Sequence, residues 1–492
     1  MSMNNLIPLP VSVTPKEGAF ALTSQAGIYV EPGTPEMLAI GQYLADKLKP
    51  ATGYALPVAS TSGAPCAGNL YLTTQGADAS LGAEGYQLDI DKQSLRLAAA
   101  QPAGVFRGLQ TLRQLLPASI EASSVQAGPW GIAAGTIRDY PRFAWRGMML
   151  DVARHFFSVA DVQKLIDRAS YFKINTFHLH LSDDQGFRLA IDSWPNLTQL
   201  GASTATGGGP GGFFTKADYA ALVAYAKARY ITIVPEIDMP GHTNAALASY
   251  GELTCNGVAP AMRTDTLVGY SSLCVHKDQT YQFVSDVLRE VAAITPGAYL
   301  HLGGDEAKAT TVEDFQFFFV KAQIPLQTVG KRLIGWDALG QLDNLPADSI
   351  VQFWISSEFA KRAVELHAKV LMSPANKAYL DMKYDTATPL GQNWAGYITE
   401  RTAYEWDPAT LIQGVGESDV IGVEAPLWTE YFKTLSDLEY MTFPRLPGIA
   451  EIGWSKATGR NWDEYKLRIA SYAPRLKAWN VNFYKSSAIP WP

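Results

Sequence analysis

From Arg146 onward the chain repeats one pattern eight times: a short apolar, strand-like run ends on a polar or aromatic residue, and a helical or loop segment then returns the chain. The runs are 147–151 (GMMLD), 176–181 (TFHLHL), 231–236 (ITIVPE), 299–302 (YLHL), 333–336 (LIGW), 350–354 (IVQFW), 370–373 (VLMS) and 421–424 (IGVE). Strands that alternate with helices pair in parallel, and eight such units close into a (β/α)8 barrel whose reactive groups gather at the carboxyl ends of the strands. Two return helices carry start signals, Ser158 to Asp161 and Thr215 to Asp218, each followed by apolar residues at helical spacing.

The first 140 residues follow another rhythm. Short alternating runs at 27–30, 69–72, 86–90 and 94–97 are interspersed with helical patterns over 36–48 and 105–116. This predicts a small α+β domain over residues 1–140, closed by the Pro and Asp residues around 138–141, ahead of a barrel domain over 141–492. The glycine-rich stretch 207–212 lacks the Lys-Ser/Thr partner of a phosphate-binding loop and reads as an ordinary loop.

A net charge of −7, with no Lys/Arg-rich segment, argues against nucleic acid or an anionic membrane surface as partner. An uncharged polar ligand fits better, and the 12 tryptophans supply faces for sugar rings and N–H groups for hydroxyls. Three cysteines, Cys66, Cys255 and Cys274, form no metal-binding spacing, which argues against a zinc site. Cys255 and Cys274 flank one loop and are a candidate disulfide, which leaves Cys66 over. No apolar run is long enough to span a bilayer and the start lacks a signal pattern; the chain reads as exported with its leader removed, or as cytosolic. Asn196-Leu197-Thr198 is a formal glycosylation acceptor, and oligomeric state leaves no mark in the sequence.

The chemistry concentrates at Asp305 and Glu306, which follow an apolar run through Gly303 and Gly304. Neighbours on a strand point to opposite faces, so both acids reach one ligand only where the chain leaves the sheet, as two glycines permit. A carboxyl next to another carboxylate and aromatic walls holds its proton longer, as a general acid for a leaving-group oxygen requires; this sets the expectation for Glu306.

His301-Leu302-Gly303-Gly304-Asp305-Glu306 resembles the active-site signature of glycoside hydrolase family 20, the β-N-acetylhexosaminidases, and residues 104–112 (GVFRGLQTL) are similar to that family's pre-barrel helix. The resemblance implies an exo-acting hydrolase of terminal β-linked GlcNAc or GalNAc in glycans such as chitin, retaining and without metal or cofactor, in which the 2-acetamido oxygen attacks the anomeric carbon to give an oxazolinium intermediate. It implies Glu306 as general acid/base, Asp305 as the residue that holds the acetamido N–H, and Tyr379 as donor to the acetamido oxygen. Trp336, Trp354 and Trp428 would box the acetamido methyl and the sugar face; Arg154 would clamp O3 and O4; Asp381 and Glu430 would grip O4 and O6. Asp183 and His242 match a relay that tunes the acid, and Trp394 an aromatic that stacks on the leaving-group sugar. Thr429 departs from the family, where serine is frequent, and keeps the hydroxyl. Three alternatives stand beside this reading: release of a terminal disaccharide, as in lacto-N-biosidases; a glycan-binding barrel without catalysis; and a metal-dependent hydrolase using His178, His180 and Asp305.

Overall fold

The computed structural model describes residues 3–492, which form two compact units. The first takes the chain up to Arg142 together with Tyr171–Lys173 and Ala450–Pro492. Its seven-stranded sheet runs in the order Ser12–Leu22, Trp130–Asp139, Tyr86–Ile90, Leu95–Ala99, Leu70–Thr73, Ile28–Val30, Val58–Ser60. All four expected strand runs are present, as are both helices, Pro35–Thr52 and Pro102–Leu115. The second helix is buried along nearly its whole length, and its Gly108 lets the backbone approach the sheet, since a Cβ there would sit 2.3 Å from Leu97.

The first unit also recruits the C-terminus, whereas the sequence reading carried the barrel domain to residue 492. Buried polar contacts account for the grouping. Trp454 donates its indole N–H to Asp139 at 2.9 Å, and Lys173 meets the same carboxylate at 3.0 Å. Arg468 forms a bidentate pair with Glu451, 2.6 Å for each bond, and donates to the Leu6 carbonyl at 2.8 Å. Nothing local in residues 450–492 signals Asp139 or Leu6 as partners, which lie hundreds of positions away.

The second unit, residues 143–170 and 174–449, is the barrel. Eight parallel strands close on themselves: Trp145–Asp151, Thr176–His180, Thr232–Glu236, Tyr299–His301, Arg332–Trp336, Ile350–Phe353, Lys369–Met372 and Val420–Leu427. They are numbered one to eight below. Each expected run became a strand, and the helices between them include Val159–Tyr171, Lys216–Lys227, Asp278–Ile294 and Val312–Thr328. At the head of Lys216–Lys227 the Thr215 side chain accepts the Asp218 N–H while Asp218 accepts the Thr215 N–H, a reciprocal cap worth about 1 kcal/mol. Among the described residues, no helix is long and apolar enough to cross a membrane.

Candidate active site

Strand four ends at His301, and the chain then turns through Gly303 (φ 66°) and Gly304 (φ 97°). Only glycine fits at 303: a Cβ would lie 1.7 Å from Asp238 Oδ1, the atom that accepts the Gly304 N–H at 3.0 Å. The turn takes Asp305 and Glu306 off the sheet, and Glu306 itself sits in left-handed backbone at φ 45°. His242, beyond strand three, does the same at φ 53°. Non-glycine residues hold such conformations only where surrounding structure imposes them, and they cluster at functional sites.

These residues meet in a chain of ionisable groups. His242 Nδ1 lies 3.1 Å from Asp183 Oδ1, and its Nε2 lies 3.5 Å from Glu306 and 3.6 Å from Asp305. Asp183 is in turn held by His180 Nε2 at 2.7 Å and by Arg154 Nη2 at 2.8 Å. Burial pushes Asp183 up, yet Arg154, His242 and the His180 hydrogen bond together hold it well below the usual carboxylate range. Burial pushes His242 down, but the Asp183 and Asp305 carboxylates more than reverse this and favour the imidazolium.

That cation corrects one expectation. Burial raises Glu306, but the hydrogen bond and charge of His242, with Lys308 and Arg154, leave its carboxyl below its ordinary value in the free protein. Asp305 is the raised member of the pair, through burial and the neighbouring Glu306 charge against the pull of His242. Asp238, which carries a shift well upward from burial and from Asp305, also faces it. The raised acid expected of this pair is therefore Asp305 and not Glu306, because a histidine more than sixty positions upstream closes on Glu306.

Above this chain lies a cavity of about 360 Å3. Nine of the twelve expected catalytic and substrate-binding residues line it: Arg154, Asp305, Glu306, Trp354, Tyr379, Asp381, Trp394, Trp428 and Glu430. Thr266, Val268, Ile355 and Gln392 complete the lining; all four lie on loops without a local signal in the sequence. Asp183, His242 and Trp336 do not line it. Trp336 is buried in an apolar cluster with Tyr379, Trp428 and Met149, its ring 5.5 Å from that of Trp428, and Trp354 packs against the cluster. The rings of Trp354 and Tyr379 are nearly parallel, 9° apart, while Trp394 stands edge-on to both and is half exposed.

Several polar atoms around this cavity are buried with no hydrogen-bond partner in the protein: both carboxylate oxygens of Asp381, Glu430 Oε2, Asp305 Oδ1, Arg154 Nε and Trp354 Nε1. Burial, with the charge of its neighbour Glu430, pushes Asp381 well up, and burial also raises Glu430. Unpaired buried groups are costly, so this set is complementary to a ligand that brings many hydroxyl or amide partners of its own. The histidine-based metal trio is not assembled: Asp305 converges with Asp238 and His242, whereas His178 and His180 are engaged by Glu236, Glu424 and Asp183.

Cys255 and Cys274 are joined as a disulfide, and Cys66 is free and exposed. The bridge closes the loop that carries Thr266 and Val268 to the cavity wall, and it borders a second, larger cavity of about 540 Å3 that lacks the paired acids. For a loop of this size, with the cysteines 19 positions apart, the cross-link contributes about 3 kcal/mol by restricting the unfolded chain. Cys274→Ser is expected to lower the urea midpoint accordingly under non-reducing conditions. An unchanged midpoint would show that the bridge adds no stability.

A closed parallel barrel, with paired acids at its carboxyl end and an aromatic-walled pocket of unpaired polar groups, defines a carbohydrate-active barrel hydrolase. Residues 143–457 match the model of the glycosyl hydrolase family 20 catalytic domain and residues 3–140 that of domain 2 of the same family. The chain belongs to glycosyl hydrolase family 20 and is a glycoside hydrolase. It is 40% identical to a beta-N-acetylhexosaminidase of Cellulomonas fimi, over 99% of this chain and 97% of that protein. Among solved structures, the GH20 beta-N-acetylhexosaminidase from Streptomyces coelicolor A3(2) superimposes with a TM-score of 0.97 at 49% identity, covering 100% of this chain and 99% of that one. A mutant Streptomyces plicatus beta-hexosaminidase in complex with product (GlcNAc) gives 0.96 at 48% identity, covering 100% and 98%.

Proposed function

We propose that the protein is an exo-β-N-acetylhexosaminidase that removes terminal non-reducing β-linked GlcNAc or GalNAc from glycans with retention of configuration, the substrate's own acetamido group acting as nucleophile. The observation that carries this reading is the ring of buried, unpaired polar atoms around one small cavity beside Glu306. Asp381, Glu430 and Arg154 match the hydroxyls of one sugar ring, and charged groups make the stronger hydrogen bonds to them. Asp305 is placed to accept the acetamido N–H and Tyr379 to donate to its oxygen. An amide held at both ends is fixed in attacking geometry, so its orientational entropy is lost on binding rather than in the barrier. Trp354 and Trp428 supply the apolar faces for the methyl and sugar ring, with Trp336 packed behind Trp428, and Trp394, half exposed at the mouth, suits the leaving-group sugar.

Glu306 then protonates the departing oxygen and, as the conjugate base, activates the water that opens the oxazolinium. In the free protein its carboxyl is low because His242 is cationic, and a bound sugar that dries the site raises it toward the acid form. Replacing His242 tests this sign directly. With His242→Gln, the group that lowers Glu306 is gone and burial remains to raise it, so the basic limb of kcat/KM is expected to move to higher pH. A limb that stays in place, or moves down, would contradict the assignment.

The reading as a whole is tested by an N-acetylglucosamine thiazoline, which mimics the cyclised intermediate, and by the product. Tight inhibition, and release of a monosaccharide as the β-anomer from a tetrasaccharide, are expected. Release of a disaccharide would indicate the lacto-N-biosidase alternative, and absence of turnover the glycan-binding one.

A further inference from the structure

Inside the barrel, beneath the pocket, one carboxylate has an unusual number of partners. Glu236, at the end of strand three, is fully buried. Its Oε1 accepts the Trp336 indole N–H from strand five at 2.8 Å, and His301 Nδ1 from strand four lies 3.0 Å from the same oxygen. Its Oε2 faces His180 Nδ1 at 2.5 Å and His178 Nε2 at 3.0 Å, both from strand two. Further out, Glu424 engages His178 Nδ1 at 2.8 Å, and the Asp238 and Asp305 carboxyls complete the charged surroundings. A buried carboxylate persists only when paired in this way.

The two oxygens of Glu236 lead to different parts of the site. Through Oε1 it fixes the orientation of Trp336, which packs 5.5 Å from Trp428. Through Oε2 and His180 it reaches Asp183, the residue that aims His242 at Glu306. We propose that Glu236 is a positioning residue for the reaction: it never touches the sugar, yet it holds both Trp336, which backs the Trp428 wall of the pocket, and the His180–Asp183 pair behind the acid. The assignment rests on the substrate-assisted reading above.

Glutamine at 236 preserves volume and one carbonyl acceptor but serves one arm instead of two. Glu424→Gln is the control, because Glu424 is equally buried and paired, to Trp145, His178 and Gln352, but contacts neither Trp336 nor His180. The measurements are kcat and KM on N,N′-diacetylchitobiose and on 4-nitrophenyl β-N-acetylglucosaminide, each per active site titrated with the thiazoline. For Glu236→Gln, kcat on the disaccharide is expected to fall about 10- to 100-fold, the magnitude of a small misplacement. The nitrophenyl substrate should lose less, and thiazoline affinity should weaken.

Wild-type kcat per titrated site in Glu236→Gln, or a loss no greater than that of Glu424→Gln, would overturn the proposal. If Glu236→Gln does not fold, His180→Gln cuts the same arm: a greater loss on the disaccharide supports the proposal, and equal losses on both substrates overturn it. Failure of the wild type to turn over either substrate would instead strike the proposed function.

Discussion

Glu306→Gln is expected to lower kcat on N,N′-diacetylchitobiose by about 100- to 10,000-fold, the range that a positioned general acid contributes. Glutamine keeps the shape of the side chain but has no proton to give to a departing alkoxide. A nitrophenolate leaves without help, so the first step with 4-nitrophenyl β-N-acetylglucosaminide should survive far better, and the loss there should reflect only the missing base in the second step. Equal losses on the two substrates would remove Glu306 from the role of acid. The position of the residue supports the uneven outcome: its side chain is a quarter exposed at the mouth of the cavity, where a leaving group departs, while Asp305 beside it is more deeply buried.

Asp305→Asn and Tyr379→Phe should each reduce kcat on acetamido sugars by about 100- to 1,000-fold, as the loss of one preorganised partner for developing charge does elsewhere. In the proposed mechanism the two act on opposite ends of one amide. As its oxygen attacks, the nitrogen becomes positive, which strengthens an acceptor at the N–H, and a donor at the oxygen fixes the angle of approach. Asparagine can present its N–H where a carboxylate is needed, and phenylalanine leaves the oxygen without a donor. Thiazoline affinity should fall in parallel with kcat, because that inhibitor carries the same ring. Variants with wild-type kcat, or wild-type protein that cleaves the plain glucoside as well as the acetamido sugar, would refute the internal nucleophile.

The barrel could be read from the sequence because each of its strands is a compact apolar run and each return segment has its own start signal, as at Thr215. Strand Ser12–Leu22 escaped notice for the opposite reason: it is mostly exposed, carries Pro15 and Gly18, and lacks a continuous apolar face. The candidate site divided in the same way. Asp305 announces itself through the run that precedes it and Asp381 through the family resemblance, whereas Thr266, Val268, Ile355 and Gln392 arrive on loops whose course is set by the rest of the fold. The place of Asp238 under Gly304 depends on a contact 66 positions away. Charge balance at Glu306 was misread for the same reason, since local neighbours do not reveal which distant cation closes on an acid.

The bridge between Cys255 and Cys274 gives the pocket two walls of different character. Arg154, Asp381 and Glu430 issue from barrel strands and owe nothing to thiol chemistry, while Thr266 and Val268 hang from a tether that a reductant would cut. Cutting the bridge would therefore release the Thr266 and Val268 part of the lining and leave the Arg154, Asp381 and Glu430 part outside the freed loop.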